Sequence, residues 1–103
     1  MLIQSPYKEG DVVTLKLING EEMVTRLEKD ETSDITITRP LVLTMNPQSG
    51  QPMLVPWLMS VDPTSSTKYK IEKTKIVCIV KTAKDVADSY TQSTSGIVTA
   101  TVI

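Results

Sequence analysis

Lys73 and Lys75, with Glu72 beside them, are the residues of this chain whose type and spacing best suit a chemical task. Two ammonium groups this close can meet phosphate oxygens, and a modest phosphate contact becomes useful when it is repeated. They belong to a basic rear stretch that also holds Lys68, Lys70, Lys81 and Lys84, whereas acid crowds the front at Glu21, Glu22, Glu28, Asp30, Glu31 and Asp34. If Tyr69–Val80 is extended, Lys73 and Lys75 share one strand face. The same lysines could instead guard an exposed sheet edge against unwanted pairing, and both readings stay open. Asp34 and Thr36 add polar contacts near the acidic turn. Asp30, Glu31 and Asp34 lie in one turn and are expected to hold loop amides or stay solvated rather than bind Mg²⁺.

Catalysis is the least supported class. The sequence contains no histidine, so the commonest general base is missing and a Ser-His-Asp or Cys-His arrangement cannot be assembled. The single cysteine, Cys78, allows no intrachain disulfide, and a Cys/His zinc site is excluded. In the run Ile76-Val77-Cys78-Ile79-Val80 it reads as a small buried hydrophobe. Four unclustered glycines leave no phosphate-cradling loop. Neither a metal nor a cofactor is expected. Eleven basic against twelve acidic residues give a net charge of −1, so no global field draws the chain to nucleic acid or membrane. No basic-then-apolar leader and no bilayer-spanning stretch are visible, and a reducing, cytoplasmic setting is the expectation.

The elements that must position these residues are mostly strands, within one domain of 103 residues. Val12–Leu17 and Glu21–Leu27 flank Asn19-Gly20, which predicts a hairpin closed by a type I′ turn. Val13, Leu15 and Leu17 line one face of the first strand, and Met23, Thr25 and Leu27 oppose Glu22, Val24, Arg26 and Glu28 in the second. A third strand, about residues 34–45, meets Arg39-Pro40, where proline predicts a bend, a bulge or an edge position. Asn46–Gly50 reads as a hairpin loop, and Pro52–Val61 as a kinked apolar strand. Tyr69–Ile71 and Lys75–Val80 are two short strands or one bent strand. Thr82-Ala83-Lys84-Asp85 has capping-box spacing, and Ala83, Val86, Ala87 and Tyr90 recur at helical spacing, predicting a helix over about 82–92 that lies as a lid on the sheet. The barrel is expected over about 10–81 and a tail over 93–103, disordered or pairing with a neighbour's edge. Trp57, beside Pro56 in a chain with no phenylalanine, is expected to anchor the core or an interface rather than stack a base.

The hairpin resembles the first half of the Sm/LSm motif, the family that includes the bacterial RNA-chaperone ring. Leu17, Asn19, Gly20, Glu22, Met23 and Leu27 stand where that motif asks for them, and Ile71–Ile79 has the spacing of its second half. The two halves cover about half the chain. The general pattern also resembles short proteins of marine phages. Where the family carries an aspartate, a stacking residue and a base-reading asparagine, this sequence has Glu31, Ser33 or Asp34, and Ile35; where the family carries Arg-Gly, it has Glu72-Lys73. The resemblance implies a mainly β fold, a small, strongly bent antiparallel five-stranded barrel, here with a short C-terminal helix. It also implies a homo-oligomeric ring built by edge-strand pairing, which would turn one lysine per subunit into a circle of charge.

The expectation is therefore a non-catalytic ring that binds single-stranded RNA or DNA through backbone contacts with little base specificity. Lys73 and Lys75 would meet phosphate, with Asp34, Thr36 and Glu72 nearby. An adaptor ring that binds other proteins is the alternative of a different class, and an OB-like monomer with its ligand on the sheet face is a third.

Overall fold

A computed structural model describes residues 7–95 of the chain. Pro6 and the apolar segment 97–103 lie outside the described residues. Six strands and one helix follow in order: β1 (Val12–Leu17), β2 (Glu22–Asp30), β3 (Asp34–Met45), β4 (Pro52–Pro56), β5 (Lys68–Glu72), β6 (Ile76–Lys81) and α1 (Lys84–Thr94). All pairings are antiparallel, in the order β4-β3-β2-β1-β6, with β5 also on β3. The fold is mainly β as expected, but among the described residues the sheet has six strands, not five, and is not closed into a barrel.

The β1–β2 hairpin forms where Asn19-Gly20 stands, through a different turn. Gly20 adopts φ +92° and its amide donates to the Leu17 carbonyl at 2.9 Å. Arg39 is the only described non-glycine residue with positive φ, so Asn19 does not take the left-handed conformation a type I′ turn requires. The loop is a tight turn over Ile18-Asn19 completed by the left-handed glycine. Asn19 stabilises it by accepting from the Glu21 amide and donating to the Glu21 carboxylate, both at 2.9 Å.

The bend of β3 explains the extra strand. Arg39 has φ +51° and Pro40 has no amide hydrogen, so the strand turns here and shifts register against β2 between Val24 and Arg26. Its first half, Asp34–Thr38, pairs with β5, and its second half, Leu41–Met45, pairs with β4 along the same edge. β4 stops at Pro56, shorter than the expected run to Val61. A second proline cannot extend the ladder, and Leu58–Val61 and Asp62–Ser65 close as successive turns. Lys73–Lys75 forms one 3₁₀ turn between β5 and β6, so Lys73 and Lys75 do not share an extended strand face.

Alternation along the strands fills two cores, one on each side of the bent sheet. Val13, Leu15, Leu17, Met23, Leu27, Ile35, Ile37 and Ile71 form the inner one. On the outer face Val12, Val24 and Leu41 pack with Tyr90, and Val86, Ala87 and Leu54 border them. Val24, set among polar neighbours in the sequence, is thus the apolar footing of α1. An isolated helix of 11 residues is marginal in water; burial of Tyr90 against this footing holds it, as the lid expectation required. Its capping differs from expectation. Ala83, which has no polar side-chain atom, occupies the cap, and the Thr82 hydroxyl is engaged with Thr14 Oγ1 at 2.8 Å instead.

Cys78 is exposed rather than buried. Among the described residues β6 has no strand on its outer edge, and its register slips against β1 between Lys16 and Leu17. The bulge breaks alternation, so Ile76 and Ile79 face the inner core while Val77, Cys78 and Val80 face solvent.

Tyr90 is fully buried, and its hydroxyl meets three backbone groups: it lies 3.0 Å from the Thr38 oxygen and 2.8 Å from the Arg39 oxygen as donor, and accepts from the Arg26 amide at 3.0 Å. Replacing it by phenylalanine takes this partner from the Arg26 amide and the Arg39 carbonyl, while the Thr38 carbonyl keeps the Thr25 hydroxyl, and Tyr90→Phe is expected to cost about 1–3 kcal/mol in urea unfolding. Burial pushes the phenol up to about 12, against the lowering effect of the Arg26 amide. An unfolded tyrosine ionises near 10, so the stabilisation by this group is complete below that pH and is lost as pH rises toward 12. The loss amounts to about 3 kcal/mol; a stability profile in which wild type and Tyr90→Phe fall in parallel above pH 10 would contradict it.

Candidate nucleic-acid interface

The residues that the sequence singled out fall in three places. Lys75 and Glu72 line a cleft of about 610 Å³ at the mouth of the bent sheet. Leu17, Ile18 and Asn19 from the β1–β2 turn, Trp57, and Lys70 and Ile71 of β5 complete it. The β1–β2 turn brings Ile18, which is exposed, to the rim, where its amide donates to the Lys75 carbonyl at 3.0 Å. Trp57 packs one side against the inner core and reaches Glu21 with its indole N–H at 3.3 Å. It therefore serves as an anchor and still presents surface to the cleft. An apolar floor, one aromatic ring and two lysines can take a base and its flanking phosphates.

Lys73 lies elsewhere. Its ammonium sits 2.7 Å from the Asp30 carboxylate, at the end of β2. The hydrogen bond from Lys73 to Asp30 holds the ammonium above the ordinary lysine range, against a lowering by burial and with help from the Asp30 charge. Its backbone amide donates to the Ser33 carbonyl at 2.9 Å, tying the 3₁₀ turn to the β2–β3 turn. Asp34, opposite Glu72 in the β3–β5 register, adds further negative charge toward Lys73. One Asp34 carboxylate oxygen is buried without a hydrogen-bond partner among the described residues. Lys73, Asp30 and Asp34 thus form a mutually compensated cluster, in which Lys73 holds the turn while Lys75 stays unpaired among the described residues.

Thr36 is in the third place, on the outer face of β3. It stands between Lys29 of β2 and Lys70 of β5 in one cross-strand row. Lys29, Glu31, Thr36, Lys68 and Lys70 line a groove of about 280 Å³. Sequence reasoning missed this row, because Lys29 and Lys70 meet only through the register of two non-sequential pairings. The alternation of Lys68 and Lys70 was its only local signal.

No family model matches the chain, and the comparison with curated proteins gave no match. No group of three or more acidic or cysteine side chains among the described residues is arranged to hold a metal ion. No described helix is long and apolar enough to cross a membrane.

Trp57 is the only tryptophan, so its emission reports on the cleft alone. A base entering beside it is expected to quench that emission during titration with oligo-U or single-stranded DNA. Saturable binding seen by anisotropy of a labelled oligonucleotide, with Trp57 emission unchanged, would locate the ligand away from the cleft.

Proposed function

We propose that this chain is a non-catalytic Sm-like module that assembles into a homo-oligomeric ring and binds single-stranded nucleic acid, RNA foremost, with low base specificity. One observation carries the assembly. Among the described residues the sheet ends in unpaired edges on both sides, β6 at one end and β4 with β5 at the other, and β6 exposes Val77 and Val80 beside its own edge. Unpaired amides and carbonyls next to exposed β-branched side chains are a template for another strand. Pairing β6 of one copy with the opposite edge of the next is heterologous, and such contacts close into rings when the rotation permits. In that arrangement the bent sheet of each copy is continued by its neighbour, which supplies the closure that the single chain lacks.

The nucleic-acid part rests on the cleft, where Trp57 and Ile18 offer apolar surface and Lys70 and Lys75 offer charge. The residues in the places of the family's base-reading groups are Glu31, Ser33 or Asp34, and Ile35, so base discrimination is weak in this reading and backbone contacts carry the affinity. Repetition around a ring multiplies a weak contact without a high net charge.

Light scattering tests the assembly first. A particle several times the 11.4 kDa chain mass is expected, and the double variant Val77→Lys/Val80→Lys should reduce it to that mass while leaving the circular dichroism spectrum intact. A wild-type particle of single-chain mass at micromolar concentration would overturn the ring. With the ring in hand, a labelled oligo-U is expected to bind with affinity that falls as salt rises. A stable ring with no affinity for oligo-U, oligo-A or single-stranded DNA at low salt would favour an adaptor that contacts proteins.

A further inference from the structure

The outer face of β2, β3 and β5 carries a feature that the cleft does not account for. The buried polar side chains are Thr25, Thr36, Thr38, Thr82 and Thr94. Four of these hydroxyls are engaged. Thr25 donates to the Thr38 carbonyl, Thr38 to Glu28, Thr94 to the Tyr90 carbonyl, and Thr82 pairs with Thr14. The Thr36 hydroxyl makes no hydrogen bond among the described residues, although only 6% of the residue is exposed. It lines the outer groove, flanked in register by Lys29 on one strand and Lys70 on the other, with Lys68 two residues along.

The charges around it are equally unspent. Among the described residues the ion pairs are Lys73–Asp30, Lys81–Asp11 and Lys84–Asp88, so Lys29, Lys68 and Lys70 have no carboxylate partner. Glu31 is the one acid on the groove, set against three lysines, which leaves a cationic site on a chain of net charge −1. A hydroxyl donor that opens to the groove from an otherwise buried residue, with ammonium groups on two sides, suits a tetrahedral oxyanion, which takes one hydrogen bond from the hydroxyl and charge-assisted ones from the lysines. Lys68 and Lys70 lie about 7 Å apart along the strand. That separation is close to the spacing of successive phosphates in an extended single strand, so the site fits a phosphodiester chain better than a lone anion.

We propose that the groove of Lys29, Thr36, Lys68 and Lys70 is a second phosphate site, which holds the backbone of a single-stranded nucleic acid as it crosses the outer face of the sheet. The proposal rests on the nucleic-acid reading above and deepens it by giving the strand a track outside the cleft. Thr36 donates to a phosphoryl oxygen, and Lys29 and Lys70 neutralise that phosphate and the next.

Fluorescence anisotropy of a labelled oligo-U across a series of salt concentrations tests this, with light scattering on each variant to hold the assembly constant. Lys29→Gln/Lys70→Gln is expected to weaken binding at least tenfold at low salt and to flatten the salt dependence by about 1.4 in log–log slope, from two lost phosphate contacts. Thr36→Val keeps the shape of the buried side chain and removes the donor, and it should weaken binding severalfold with the slope unchanged. Lys84→Gln, which removes a lysine on α1, should bind as wild type does. If the double lysine variant keeps both affinity and slope while wild type binds, the second site is overturned and the cleft reading stands. If that variant binds unchanged but forms larger particles, the lysines guard the β5 edge and the proposal falls. If wild type binds no oligonucleotide at low salt, both readings fall together.

Discussion

The structure depends on satisfying the backbone where β3 bends. Arg39 takes a left-handed φ that costs an L-residue about 1–2 kcal/mol. Pro40 removes a donor, and the register against β2 slips between Val24 and Arg26, next to the carbonyls of Thr38 and Arg39 and the amide of Arg26. Buried backbone groups without partners would make such a bend untenable. Two side chains answer for them. Thr25 donates to Thr38 from the inner side, and the Tyr90 hydroxyl brings Thr38, Arg39 and Arg26 together from the outer side. The C-terminal helix is therefore the support of the bend as well as the cover of an apolar patch. Through the bend it determines that one strand carries two partners on one edge.

From that arrangement follow the places of the lysines. Because β3 turns, β5 pairs only with its first half, and the chain then crosses to the other end of the sheet through the 3₁₀ turn to become β6. The crossing is fixed by Lys73, through its amide to Ser33 and its ammonium to Asp30. Lys75, one turn further, is left at the mouth of the sheet, and Lys68 and Lys70 are left on the outer face. Two positions along the chain thus separate a lysine that holds the fold from one without an ion-pair partner among the described residues.

Those features that the sequence made legible are the local ones. Asn19-Gly20 specified a hairpin because the tolerance of glycine for positive φ acts within three residues, although the turn class depended on Asn19 keeping a negative φ. Arg39-Pro40 specified a bend, and the stripe Val86, Ala87 and Tyr90 specified a helix with one buried face. Legibility failed where the third dimension decides. Cys78 is exposed because a bulge breaks the alternation of β6, which its apolar neighbours give no hint of. Thr82 looked like a cap because its spacing is right, yet a hydroxyl on β1 competes for it. The pairing of Lys73 with Asp30 joins residues 43 positions apart, across a contact that no local pattern encodes.

Charge gives the sharpest instance. Acid crowds the front of the chain and lysine its rear. Folding does not carry that segregation through. Two of the three ion pairs among the described residues link front acids to rear lysines, Asp30 to Lys73 and Asp11 to Lys81. A basic surface is then whatever lysine remains after this mutual cancellation, and it is set by register, not by composition. The remainder is local: Lys75 with Lys70 at the cleft, and Lys29, Lys68 and Lys70 around Thr36. Lys70 lines both places, so a strand held at the cleft and a strand held on the outer face would share it. That shared residue makes one continuous path from the mouth of the sheet to its outer face a matter of a single side chain, and it is why net charge alone says so little about what this surface can hold.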